Sequence, residues 1–279
     1  MCRIADLPEW LESFRPNDSL YAEAYENTPA PLRALLKTSI AFSFHRWNVS
    51  PETVRSEVKS RRTGFLHSET IRPVSWVLAF LSRGFSSPSR MLSALVPAII
   101  AGVERIIVAS PAPFAPSIIT ALELSGLEDS FILSESHAAR LYDSLFSLSS
   151  EGCILFFPGP DDKEPFSPLL RRAWNDGIAF HLDKPAPIIL SLYEEISHQS
   201  SGPCAEEIRA RLAWLHPDAH IVTDPQKKAD AVFSPVNANL PCGSAFTAGP
   251  GMEACWPGPS PDFFRTHALS AFLFKELDS

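Results

Sequence analysis

Residues 87–110 read SPSRMLSALVPAIIAGVERIIVAS, and this stretch decides the fold. Ser87 is a helix cap, and Pro88 sits at the first helical position, where its missing N–H would be unpaired in any residue. Met91, Leu92, Leu95, Val96 and Ile99 recur at helical spacing and give the helix one apolar face. Gly102 suits the left-handed turn that ends such a helix, and Arg105-Ile-Ile-Val108 follows as a short branched run typical of a buried parallel strand.

The unit repeats once downstream. A helix opening at Ala115-Pro-Ser-Ile runs to Ser125-Gly126, and Phe131-Ile-Leu133 follows it as a strand. Two successive helix–glycine–strand units of similar length favour a parallel sheet with right-handed crossovers. Further along, a helix over 136–146, a strand over 153–157, a helix over 167–174 and strands over 178–181 and 188–193 complete a doubly wound α/β pattern. Upstream, residues 30–46 have helical spacing, Ser50-Pro-Glu-Thr53 carries the cap and early acid of another helix, and Gly64-Phe-Leu66 and residues 71–80 read as strands.

Composition narrows the class. A chain of 279 residues with 45% hydrophobic content buries a core large enough for one big domain or two small ones. A net charge of −8 and a pI near 5.5 disfavour a nucleic-acid or anionic-membrane partner, since a phosphate backbone requires a basic face. No apolar run is long enough for a membrane span and MCRIADLPEW is no signal peptide, so a cytoplasmic location is expected. Five widely spaced cysteines, none in a CxxC pair, suggest neither a disulfide frame nor a thiolate zinc site.

The wording of the central stretch, VPAIIAGVERIIVASP, resembles the core segment of histidinol dehydrogenases, and the resemblance continues in family order on both sides. Ile71-Arg-Pro73 with Val77-Leu-Ala-Phe80 and Gly84 is similar to the family's Arg-Pro strand and glycine turn. Ser136-His-Ala-Ala139 and Gly159-Pro-Asp-Asp162 are similar to its Gly-Ala-Gln-Ala and Gly-Pro-Gly-Asn segments. Residues 212–224 and 235–241, followed by Asp262-Phe-Phe-Arg265, are similar to its Gln-Ala-Glu-His segment, its Asn-His-Val-Leu-Pro segment and a helix, here expected over residues 261–272. The resemblance implies an aldehyde-dehydrogenase-like fold of two incomplete Rossmann-like halves. One half comprises residues 1–126 and 188–279; a smaller inserted half, ancestrally for NAD, comprises 127–187.

That family oxidises an amino alcohol in two NAD-dependent steps, holding substrate with zinc and moving protons with a Glu-His pair. Carried over residue by residue, most of its chemistry is missing. His216 matches one metal ligand, while the other matched positions fall on Ala213, Ala231 and Ala238, so zinc is not expected. The segment that holds the Glu-His pair is absent between Thr223 and Ala231, which removes the proton acceptor that hydride departure needs. The cofactor contacts are degraded to Phe80, His137 and Asp162. Asp161 and Asp162 stand where a pyrophosphate would approach, and Arg83 offers some compensation, which leaves room for weak NAD(P) affinity. The substrate turn now reads Asp183-Lys-Pro-Ala-Pro187, and His216, Asn237 and Cys242 remain as pocket candidates. His216 reads as a helix-end histidine favoured by the helix dipole.

The resemblance therefore implies a shortened, degenerate relative without catalytic residues, acting as a binding or interaction protein for a small molecule or protein not named by the sequence. A divergent NAD(P)-dependent oxidoreductase is the alternative, and an active histidinol dehydrogenase comes last. The family's tail completes a neighbour's site, so a chain ending at Ser279 is expected to be a monomer or a dimer without that exchange.

Overall fold

The computed structural model describes residues 7–47, 49, 51–60, 64–162, 168–185, 187–192, 204–223, 229–233, 247–249 and 251–273. Its centre is a parallel sheet of five strands in the order β5-β4-β3-β6-β7. These are β3 (Trp76–Leu81), β4 (Arg105–Ser110), β5 (Ser130–Ile132), β6 (Gly152–Phe157) and β7 (Ala179–Leu182). The helix of the deciding stretch, α3 (Pro88–Ala101), begins at Ser87, whose hydroxyl oxygen accepts from the Arg90 N–H, and ends at Gly102 with φ of +83°.

The sheet is doubly wound. Val77, Ala79 and Leu81 of β3 face one core with α3 and α4 (Pro116–Ser125), over which α1 (Asp18–Asn27) and α2 (Ala30–Arg46) lie. Trp76, Leu78 and Phe80 alternate to the other face and meet α5 (Glu135–Leu148) and α6 (Pro168–Asn175). Strands buried on both faces explain the unbroken apolar runs WVLAFL and GCILFF.

Beyond β7 the chain enters a second parallel sheet, in the order β11-β10-β8-β9. It contains β8 (Ile188–Leu192), β9 (Ala219–Val222), β10 (Ala231–Phe233) and β11 (Thr247–Ala248), with α7 (Ala205–Leu215) between β8 and β9. The boundary expected between 126 and 127 falls inside the five-stranded sheet, whereas that between 187 and 188 falls between the two sheets.

Two expected helices are strands. Instead of a helix after Ser50, β1 (Val54–Ser60) pairs antiparallel with β2 (Phe65–Pro73). Valines at 54 and 58 alternate there with charges at 55, 57 and 59, and that period of two outweighs the local cap signal. The C-terminal helix expected over 261–272 is a 3₁₀ turn, Pro261–Phe264, followed by strand β12 (Arg265–Leu273) along β2. Its Ala and Leu residues favour helix locally, but nine residues of register against β2 override that preference. No helix among the described residues is long and apolar enough to cross a membrane.

Candidate functional site

In an open sheet of this kind, ligands bind outside the carboxyl ends of the strands where the winding reverses. Here that point lies between β3 and β6, bounded by the loops 82–87 and 158–162. The two loops press together: a Cβ on Gly159 would lie 2.1 Å from the Arg83 carbonyl oxygen, so only glycine fits. The Ser82 N–H donates to the Phe157 carbonyl at 2.9 Å, closing the same seam.

The sequence candidates divide around this seam. Arg83 and Asp162 both reach it and both are exposed. Asp162, however, turns back on its own loop, where its carboxylate accepts the Gly159 N–H at 2.9 Å. The backbone donor that would cradle a phosphate is thus already bonded to a carboxylate. Phe80 is buried below the seam, its ring stacked on Phe156 at 5.8 Å, and presents no face to a ligand. His137 lies two strands away at the start of α5, 2.8 Å from the Ser134 hydroxyl and against the rings of Trp10 and Phe14. These residues do not form a pyrophosphate cradle.

His216 caps the C-terminal end of α7 and is completely buried. Its Nδ1 lies 3.2 Å from the Ser87 hydroxyl, which donates to the Leu215 carbonyl, and its ring rests 5.2 Å from that of Trp256. Nε2 has no hydrogen bond of ordinary geometry. Burial, aided by the Arg90 charge and opposed by the Glu253 backbone, pushes the imidazole pKa down to about 3. This corrects the helix-dipole reading of His216: a neutral ring gains little from the dipole, and desolvation outweighs it.

Beside His216 lies a cluster that sequence reasoning missed. Arg90 in the first turn of α3 has a completely buried side chain, and its Nε donates to Asp183 at 2.8 Å. It also pairs with Asp218 and donates to the Lys184 carbonyl. Asp183 leaves β7 and Asp218 follows α7, so one guanidinium joins the five-stranded sheet, the four-stranded sheet and α3. Its planar fork suits three acceptors at once. A lone arginine in an otherwise apolar helix, SPSRMLSALV, was the available signal; its partners lie 93 and 128 residues away.

Zinc does not fit this donor set. Both acids are turned to Arg90, a cation stands next to the imidazole, and among the described residues no three His, Cys, Asp or Glu side chains converge. Ala213 lies in α7 and Ala231 is buried in β10. Next to Ala231, Asp230 is used structurally, accepting the Ile189 N–H at 2.9 Å and pairing with Lys184. Asn237, Ala238 and Cys242 lie outside the described residues.

With this geometry in hand, the comparisons are specific about the first half of the chain. The sequence model of histidinol dehydrogenase matches residues 5–138, which includes the N-terminal part where motifs are faint and stops before Gly159 and His216. Curated protein sequences give no match. Among solved structures, histidinol dehydrogenase from Elizabethkingia anophelis aligns over 93% of this chain and 77% of its own, at 12% identity and a TM-score of 0.53. Succinate-semialdehyde dehydrogenase from Burkholderia pseudomallei aligns over 91% and 84%, at 9% identity and a TM-score of 0.43. An aldehyde dehydrogenase from Brucella melitensis aligns over 77% and 45%, at 16% identity and a TM-score of 0.37. The chain thus carries a histidinol dehydrogenase sequence pattern over residues 5–138, just under half of its length, on a fold similar to that of histidinol dehydrogenase.

Proposed function

We propose that this protein is a non-catalytic relative of histidinol dehydrogenase, serving as a binding or interaction protein. The observation that carries the reading is the state of His216. The imidazole that matches a family metal ligand is sealed among Ser87, Phe233, Trp256 and the Arg90 cluster, where it acts as packing. The Asp162–Gly159 bond supports the same reading at the opposite site, because it occupies the phosphate-binding donor with a negative charge. The absent Glu-His segment leaves alcohol oxidation without its base.

Metal content gives the first test. Protein purified without a metal-binding tag is expected to carry far below one equivalent of zinc by elemental analysis; stoichiometric zinc that disappears in His216→Ala overturns the reading.

Cofactor binding gives the second. A ligand at a hundred times its Kd stabilises the folded state by about 2.7 kcal/mol, which in a chain of this size moves Tm by roughly 2–4 °C per kcal/mol. No resolvable shift is expected with millimolar NAD or NADP. Asp161→Gly with Asp162→Asn removes two charges and leaves the Gly159 N–H facing a neutral amide oxygen that a phosphate displaces more easily, and is expected to restore a measurable shift. Arg83, exposed at the same seam with no partner among the described residues, favours the alternative of a divergent NAD(P)-dependent oxidoreductase. A shift in the unmodified protein that Arg83→Ala abolishes selects that alternative.

A further inference from the structure

The five-stranded sheet has a hydrophobic core on each face, whereas the four-stranded sheet has one of its own, made chiefly by Ile188, Leu190, Leu192, Ile208, Leu212 and Phe233. Strands β8 to β11 and α7 pack chiefly on one another. The chain first crosses between the two bodies in residues 183–187, from β7 to β8, and apolar contact across the junction comes from the end of α7, where Trp214 and Leu215 reach the first core. Bodies with separate cores and a short linker move relative to each other unless something holds the junction.

The first turn of α3 grips that junction from both sides. Arg90 bonds Asp183, which is fixed to the first sheet by its own N–H donating to the Phe156 carbonyl at 2.9 Å, and it bonds Asp218, in the loop between α7 and β9. It also donates to the Lys184 carbonyl in the linker, and the Lys184 ammonium pairs with Asp230, whose carboxylate accepts the Ile189 N–H of β8 at 2.9 Å. Ser87, one turn earlier, donates to the Leu215 carbonyl at 2.8 Å. Asp218 has one oxygen on Arg90 and the other buried with no hydrogen bond, so its place in the interior depends on the guanidinium; a carboxylate deprived of that partner is drawn back to water.

We infer that Arg90 is a latch that joins the two sheets into one cooperative unit and holds them closed on each other. Helix α3 starts beyond the carboxyl end of β3 and Asp183 follows the carboxyl end of β7, so the latch lies on the side of the five-stranded sheet from which a ligand enters such folds. With three acceptors on one planar group, the bodies part only when all three bonds are lost together, which makes opening an all-or-none step. Residues 183–187 are the hinge about which the second body turns once the latch is released.

Native-state hydrogen exchange on the full chain, read by mass spectrometry, reports each sheet separately. Ile107→Val leaves a small cavity in the core beside β4 and is expected to speed the slowest amides of both sheets by the same factor, about fivefold, because a latched protein opens them together. Combined with Arg90→Met, Asp183→Asn and Asp218→Asn, which remove the latch without stranding a charge, the same substitution is expected to speed the five-stranded sheet alone. Should that combination not fold, Arg90→Lys keeps a charge but not the planar fork and takes its place in the comparison. Exchange in the four-stranded sheet that ignores Ile107→Val in the otherwise unaltered chain overturns the inference. A shared response that persists after the latch is removed overturns it too, since the coupling would then come from Leu215 and the apolar contact around it.

Discussion

Arg90→Ala is expected to lower the unfolding free energy by about 3–5 kcal/mol, since removing one member of a buried ion pair strands the others without water or counter-charge. Asp183 and Asp218 have side chains 8% and 5% exposed, so neither recovers its hydration when the guanidinium leaves. Against a typical total of about 5–15 kcal/mol this is a large share, and Tm is expected to fall by roughly 10 °C or more. Acid gives a second signature. Burial already pushes the Asp183 carboxyl above its usual range while Arg90 pulls it down, so the variant's carboxyl rises further. A carboxyl whose folded-state pKa exceeds its unfolded value binds protons preferentially in the folded state, so the variant's deficit is expected to shrink as pH falls towards 4. Adding Asp183→Asn and Asp218→Asn to Arg90→Met removes the stranded charges and is expected to recover a substantial part of the loss. Urea titrations of the three proteins decide it; a loss under 1 kcal/mol for Arg90→Ala sinks the account.

That cluster also marks where sequence reading stops. The α3–β4 unit was legible because every signal in it is local: the Ser87 cap, Pro88 at the first turn, the apolar period and the Gly102 stop lie within one stretch. The repeat through Gly126 and β5 was legible for the same reason, and the doubly wound order followed from it. Both misread segments, 50–60 and 261–272, belong to the antiparallel sheet: β12 joins β2 across 192 to 208 residues and leaves little local trace, whereas β1 pairs with β2 only 5 to 17 residues away and its period of two competes with the local cap signal of Ser50-Pro-Glu-Thr53. The site was legible only in part. The resemblance marks Phe80, Arg83 and Asp162 as degenerate cofactor contacts, but whether a ring faces a cleft or a core depends on the helix packed above it. That Asp162 closes on Gly159, and that Arg90 meets two aspartates, are facts of tertiary geometry.

His216 supplies the other large effect, because its proton affinity changes on folding more than that of an ordinary surface histidine. In the unfolded chain it titrates near its usual 6.5; in the folded protein, desolvation first and the Arg90 charge second hold it near 3. Between those values the unfolded state binds a proton that the folded state refuses. Stability is therefore fully present above pH 6.5 and is lost as pH falls towards 3, at about 1.4 kcal/mol per pH unit and reaching about 5 kcal/mol if followed to the end. His181, also lowered by burial and partly offset by Asp183, acts in the same sense, so removing His216 flattens the slope without abolishing it. Carboxylate titration enters below about pH 5, which makes pH 6.5 to 5 the clean window. Urea unfolding at pH 7, 6.5, 6, 5.5 and 5 is expected to show a steep decline for the wild type and a shallower one for His216→Asn. The asparagine leaves a cavity and lowers stability at every pH, but a missing volume does not titrate, so only the slope reports the proton. Equal slopes would mean that His216 is hydrated or paired in the folded protein, and the sealed imidazole on which the non-catalytic reading rests would have to be given up.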